Sequence, residues 1–394
     1  MYPDLSYVFH DLFGTTPDNW LSIFKTFGLL VALAVLSAAY LLRLELKRRA
    51  DIGQFSGSKA KVISNAPFTV QDYVLNGLFG FIVGFKLLYV TQHLAEMQAD
   101  PSAVVLSTKG NWLGGILGAG LLTAYYYYID HGRKSDGPEE VIKDIFPHDR
   151  IMDISTVAVI SGVIGAKLFT VIEQPEAFFA DPMGQLLSGD GWTIYGGLIG
   201  GFIGTYIYLR RKNIEILPVL DAVAPALIVS YGVGRMGCHF SGDGDWGIPA
   251  GPQPDWWFLP DWLWAQDYPR NVLNRGVEMA ECVGRYCSHL PDPVYPTSVY
   301  ETTMAFTIGL ILWSLRKRVT PWPGLLFTIY LIFNGIERYF IEGIRVNDRH
   351  EVLGGFTQAE FIALILTAIG VVWTLWLLLG KKNKANGETA KYSD

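Results

Sequence analysis

Residues 234–247, Gly-Arg-Met-Gly-Cys-His-Phe-Ser-Gly-Asp-Gly-Asp-Trp-Gly, gather an arginine, a thiol, an imidazole and two carboxylates at the end of an apolar stretch. Arg235 offers a planar, permanently charged fork that grips phosphate oxygens. His239, with an ordinary pKa of about 6.5, suits a general base, and Asp243 or Asp245 suits orienting it; an interfacial hydrogen bond is the other use of such an imidazole. The glycines let backbone approach a bound headgroup, or else they make a flexible helix exit with solvated carboxylates. Further on, Arg338, Glu342 and Arg345 recur at i, i+4 and i+7, one helical face. An arginine inside an apolar span costs about 3 kcal/mol on insertion scales, so one that is kept faces a partner or a pathway. Arg235 and Arg338 each interrupt such a span near its end, which assigns them to an anion clamp. An ion pair with Asp243 or Glu342, or snorkelling to the interface, meets the same cost without a ligand. Arg345 reads equally as a site group or an interfacial anchor.

The elements that must hold these residues are membrane spans. A chain of 394 residues that is 50% hydrophobic and 17% charged is too apolar for an ordinary soluble enzyme. Stretches of about 20 apolar residues, enough to cross a bilayer, lie near 20–43, 73–91, 111–130, 151–172, 192–209, 217–237, 298–316, 322–343 and 357–379. Basic clusters mark every second loop: Lys47, Arg48 and Arg49; Arg133 and Lys134; Arg210, Arg211 and Lys212; Arg316, Lys317 and Arg318; Lys381, Lys382 and Lys384. The positive-inside rule then puts the C-terminus inside and the N-terminus outside, as an odd number of spans requires. The first span lacks a basic leader and a small-residue cleavage site, so a removed signal peptide is not expected. The net charge of −6 gives no reason to expect a nucleic-acid partner.

The loop 238–297 falls on the outer side. Its Gln-Pro-Asp-Trp-Trp-Phe-Leu-Pro-Asp-Trp-Leu-Trp segment (253–264) suits the headgroup layer, where aromatic rings sit half wet; an ordinary loop packed on the protein is the alternative. Cys282 and Cys287 can pair in an oxidising compartment, leaving Cys238 over. No zinc-like spacing appears, so neither metal nor cofactor is expected.

An internal repeat follows from comparing 84–101 with 165–182. They align without a gap, pairing Gly84 with Gly165, Lys86 with Lys167, and Asp100-Pro101 with Asp181-Pro182. Leu-Gly-Gly-Ile-Leu-Gly (113–118) then matches Tyr-Gly-Gly-Leu-Ile-Gly (195–200) after a one-residue shift. The expectation is a single membrane domain over 1–394 in which the hairpin 73–130 is an extra copy of the hairpin 151–209. A mid-span lysine needs a phosphate or a carboxylate. Asp72 or Asp153 would serve without a ligand; Lys86 is assigned to such a pair and Lys167 to a site.

Without the extra hairpin a seven-span core remains, and it resembles the bacterial prolipoprotein diacylglyceryl transferase family. Gly234, Arg235, Gly237, Gly242, Asp243, Trp246 and Gly247 follow the family signature Gly-Arg-x-Gly-Asn-Phe-x-Asn-Gly-Glu-x-x-Gly. In order along the chain, Phe-Gly (27–28), Gly-Ala-Lys-Leu-Phe (165–169), Tyr195-Gly196-Gly197-Leu198, Tyr-Pro-Thr-Ser-Val-Tyr-Glu (295–301) and 337–348 resemble its other motifs. Where the family has histidines this chain has Tyr195 and Tyr295, and where it has asparagines it has Cys238 and Ser241; a tyrosine, with a pKa of about 10, mainly donates a hydrogen bond. The resemblance implies an all-α integral membrane protein of the bacterial inner membrane. It implies transfer of diacylglyceryl from phosphatidylglycerol to the lipobox cysteine of a prolipoprotein, forming a thioether and releasing glycerol phosphate. Arg235, Arg338, His239 and Tyr195 would be catalytic, and Lys167, Gly196, Gly197, Asp243, Tyr295, Tyr300, Glu301, Glu342 and Arg345 would bind substrate. A noncatalytic phospholipid-binding or lipoprotein-handling protein is the second reading. A transporter is disfavoured, because the two hairpins repeat in parallel rather than inverted.

Overall fold

A computed structural model describes residues 1–64, 67–99, 104–105, 107–136, 139–187, 193–346 and 355–391. It is a mostly helical membrane protein, and among the described residues nine helices have 18 residues or more: α1 (Thr26–Asp51), α2 (Val70–Gln92), α3 (Trp112–Asp136), α4 (Ile151–Glu173), α5 (Ile194–Arg211), α6 (Ile216–Ser241), α7 (Thr297–Leu315), α8 (Leu325–Glu342) and α9 (Gln358–Lys391). Each carries one of the nine apolar stretches. The first starts later than its apolar run, because Trp20–Ile23 forms a separate turn capped by the Asn19 side chain. By length and apolarity alone α1, α2, α4, α6 and α9 qualify to cross a membrane; glycines and tyrosines dilute α3 and α5. Two antiparallel pairs add to the expected helices: β1 (Ser58–Ser64) with β2 (Glu139–Ile145), and β3 (Val277–Glu278) with β4 (Ser288–His289). The expected Cys282–Cys287 disulfide closes the connection between β3 and β4.

The chain forms two compact units, Met1–Gln54 with Ile214–Asp394, and Phe55–Asn213. In the second unit α2 packs on α3 and α4 on α5. Both contacts are made by glycine backbones. A Cβ on Gly84 would run into the backbone of Gly114 and Gly118, and one on Gly165 into that of Gly196 and Gly200. The lysines are equivalent as well: Lys86 Nζ donates to the carbonyls of Val104 and Lys109, each at 2.9 Å, and Lys167 Nζ to that of Gln185 at 3.1 Å. The expected aspartate partners are excluded by distance. Asp72 and Asp153 lie 14 residues earlier on the same helices, about 21 Å along the axis; Asp72 caps α2 through Thr69, and Asp153 accepts from Tyr208 at 2.8 Å. Asp100 and Pro101 of the repeat lie outside the described residues.

In the first unit α6 packs on α1 and α7, and α8 on α9. Ala224 and Ile228 of α6, Ala305, Ile308 and Leu312 of α7, and Leu325 and Leu326 of α8 close one apolar core. Gly232 lets α6 approach α7, since a Cβ there would lie 3.2 Å from that of Ala305. The start of α8 is held by Asp221, whose carboxylate accepts from the Gly324 and Phe327 N–H groups at 2.8 and 3.0 Å. Asp221 also pairs with the fully buried Arg49 at 3.5 Å, and Glu45 takes Arg48, Arg49 and Arg316. Arg48, Arg49 and Arg316, counted in the sequence as loop charge, are therefore partly an internal network.

Candidate functional site

The site grows from the last turns of α6, where Arg235, Cys238 and His239 recur at i, i+3 and i+4 and all three are buried. The helix stops at Gly242, which is left-handed at φ 63° and returns its N–H to the Cys238 carbonyl. The next residues turn back between two neighbours: the Gly247 N–H donates to Tyr295 O and that of Ile248 to Ile344 O, each at 2.9 Å. A Cβ at Gly247 would lie 2.7 Å from the Ile344 carbonyl, so only glycine fits this crossing. Thr297 and Ser298, at the start of α7, donate their hydroxyls to the Asp245 carbonyl at 3.1 and 2.9 Å. Asp245 is thus held over the end of α6.

Three guanidiniums then meet. Arg235 pairs with Asp245 and with Glu301 of α7. Arg338 pairs with Glu301 at 3.2 Å and with Glu342 at 3.0 Å. Arg345, just past α8, reaches Asp245 at 2.7 Å and Glu301 at 3.5 Å. Glu301 is fully buried and serves as the common base of the cluster, whereas the Asp245 side chain keeps 37% of its surface exposed. Desolvation raises the Asp245 carboxyl, but the adjacent Arg235 and Arg345 outweigh it and hold the group down at about 2. Asp243 goes the other way, raised mainly by burial. Desolvated ion pairs are weak evidence for stability; the two arginines on the open carboxylate of Asp245, with Arg338 joined to them through Glu301, form a place where an anion can exchange for that carboxylate.

The expected ion-pair partners are thus partly right: Arg338 has Glu342, while Arg235 has Asp245 rather than Asp243. Arg345 is a member of the cluster. His239 is not oriented by either aspartate. Its ring lies 5.5, 5.8 and 6.3 Å from those of Phe240, Tyr268 and Trp262, and its Nδ1 makes no hydrogen bond among the described residues. Cys238 takes the place beside Arg235 instead, with Sγ 3.4 Å from Nη1 and 3.7 Å from Asp245 Oδ2. Tyr295 accepts from the Gly251 N–H at 3.1 Å and meets Trp264 edge-on, and Tyr300 donates to Leu263 O at 2.6 Å; both brace the 238–297 loop. That loop leaves Trp256 and Phe258 exposed by 70% and 88%.

In the second unit Tyr195 is half-buried on the first turn of α5. Gly196 is used in packing on Gly165 and Phe169, and Gly197 lies over Gly162 and Ala166. The sequence reasoning missed three groups. Asp245 was weighed only as a support for His239. Glu337 is buried beside Tyr231 and Glu301. Thr357 reaches Glu342, and its signal was present as Thr-x-x-Glu before an apolar run. Residues 347–348 of the last matching segment lie outside the described residues.

The family model for prolipoprotein diacylglyceryl transferase matches residues 109–376, from just before α3 to within α9. Phosphatidylglycerol–prolipoprotein diacylglyceryl transferases of Lysinibacillus sphaericus and Clostridium tetani are each 28% identical to this chain, over 282 and 259 residues. These alignments cover 71% and 66% of the chain, and 92% and 89% of the relatives. A protein of the same name from Dehalococcoides mccartyi is 28% identical over 295 residues, 73% of this chain and 97% of its own length.

Proposed function

Because this chain belongs to the prolipoprotein diacylglyceryl transferase family, we propose that it transfers diacylglyceryl from phosphatidylglycerol to a lipobox cysteine of a prolipoprotein. The sulfur of the acceptor thiol attacks the glyceryl carbon, a C–S bond forms, and the bond between that carbon and its phosphate oxygen breaks. Its electron pair leaves on glycerol phosphate, and the thiol proton goes to a base. The observation that carries the reading is the convergence of Arg235, Arg338 and Arg345 on Glu301 and Asp245. The phosphodiester takes the arginine forks that Asp245 now fills, and the guanidiniums stabilise the charge that grows on the leaving phosphate. His239, with one ring nitrogen unbonded, is the proposed base. Lys167, Tyr195, Gly196 and Gly197 stand as proposed substrate-binding groups, as do Asp243, Tyr295, Tyr300, Glu301 and Glu342.

The proposed setting is the bacterial inner membrane, with nine spans, the N-terminus outside and the basic loops inside. The disulfide of the 238–297 loop supports an oxidising outer side for it, and its exposed Trp256 and Phe258 suit the headgroup layer. The extra hairpin is proposed to duplicate α4–α5, on the strength of the matching glycine and lysine contacts.

The test is glycerol phosphate release from phosphatidylglycerol by the purified protein with a lipobox peptide. Peptide-dependent release is expected, falling about thirtyfold or more in Arg338→Ala, since truncating one partner of a buried charge pair costs about 2–5 kcal/mol. A second reading, lipid binding without transfer, is favoured by the enclosure of His239 among aromatic rings. Phosphatidylglycerol binding without release establishes that reading instead.

A further inference from the structure

We infer that Thr357 is a positioning residue for Arg338, acting through Glu342; its catalytic consequence rests on the transferase reading above. Thr357-Gln-Ala-Glu360 forms a reciprocal cap at the start of α9: the Thr357 N–H donates to Glu360 Oε2 at 2.9 Å, and the Glu360 N–H donates to Thr357 Oγ1 at 3.1 Å. A backbone N–H can only donate, so the hydroxyl accepts on that side and its own proton points elsewhere. It points to Glu342 Oε1, 2.9 Å away. The other oxygen of Glu342 lies 3.0 Å from Arg338 Nη2, and Arg338 Nη1 donates to Glu301 at 3.2 Å.

Polarity therefore runs one way, from the α9 N-terminus through Thr357, Glu342 and Arg338 to Glu301. Thr357, Glu360 and Glu342 are 3%, 5% and 2% exposed, so water competes little at any link before the guanidinium. A β-branched threonine is stiff at χ1, which fixes the hydroxyl direction. Gly335 allows the close approach of α8 to α9 that the link needs, since a Cβ there would lie 2.7 Å from the Ala363 carbonyl. A guanidinium held at two nitrogens cannot pivot about either contact. With one Glu342 oxygen accepting from Thr357 and the other within ion-pair distance of Arg338 Nη2, Glu342 is placed to orient Arg338.

Capping alone needs only an acceptor, and aspartate supplies one as well as threonine does. The relay also needs a donor. Thr357→Asp keeps the cap but turns a second carboxylate onto Glu342, Thr357→Ser keeps both functions, and Glu360→Ala weakens the cap without touching Glu342. Three quantities decide: thermal midpoint, phosphatidylglycerol binding in mixed micelles, and glycerol phosphate release.

The expected result is that Thr357→Asp loses phosphatidylglycerol affinity and turnover by roughly ten- to a hundredfold, the scale of a small misplacement at a site, while Thr357→Ser and Glu360→Ala stay within about threefold of wild type on the same scale. If Thr357→Asp does not fold, Thr357→Val is compared with Glu360→Ala, and only the former should lose lipid affinity. Equal losses in those two variants, or unchanged affinity in Thr357→Asp, overturn the relay. A wild type that binds phosphatidylglycerol without turnover removes the transferase reading, and the affinity comparison still decides the relay. A wild type that does not bind it overturns both.

Discussion

Asp245 is the carboxylate on which the cluster turns, because it pairs with two arginines and still meets solvent. Its carboxyl sits at about 2 in the folded protein, below the value of about 3.9 it has in an unfolded chain. The stabilisation it gives is therefore complete above about pH 4 and is lost as pH falls towards 2. Thermal midpoints between pH 5 and 2 should drop for wild type across that window, and Asp245→Asn should lack this component. The same variant, freed of the competing carboxylate, should be inhibited more strongly by glycerol phosphate, by about tenfold, since hydrogen bonds to charged groups contribute about 1.5–3 kcal/mol. Equal inhibition would show that Asp245 is not the group the phosphate replaces. At this scale the sequence disclosed the arginines, because an apolar span makes their cost visible. It did not disclose which carboxylate of Asp243-Gly-Asp245 they take, because the turn at Gly242 decides that.

The helices themselves were largely legible, since runs of about 20 apolar residues admit little else, and Cys282–Cys287 followed from short spacing. The lysine partners were not legible. The cost of a mid-span charge suggested a carboxylate for Lys86 and a site for Lys167, whereas backbone carbonyls 18 residues further along accept from each, Val104 from Lys86 and Gln185 from Lys167. The two strand pairs were missed for different reasons: β1–β2 joins segments far apart in sequence, with Ser58 opposite Ile145, and β3–β4 is only two residues long on each side. The glycines at the hairpin contacts give a direct test of the duplication. Gly84→Val and Gly165→Val each force a side chain into the partner helix backbone, which should destabilise each hairpin by about 1–3 kcal/mol or more, the usual range for overpacking. Protease protection of each hairpin in detergent checks this. A loss at one position alone would mean that the two contacts are not equivalent.

For the whole molecule the proposed orientation can be checked with exposed cysteines. In intact spheroplasts, Val277→Cys in the outer loop should react with a membrane-impermeant maleimide, and Glu215→Cys before α6 should react only after lysis. The reverse pattern would invert the topology, and with it the compartment from which the acceptor peptide approaches. The network of Glu45, Arg48, Arg49, Asp221 and Arg316 adds a matter of timing. When α1 leaves the ribosome, the nearby partners of Arg49, Glu45 and Gln54, are made with it, but Asp221 is made 172 residues later, and Arg316, the third cation on Glu45, later still. On the proposed orientation, Arg48 and Arg49, sharing only Glu45 during insertion, would supply the positive charge that sets the direction of the first helix. Once α6 and α8 arrive, Arg49 is withdrawn from water, so a signal for synthesis becomes a rivet of the finished protein.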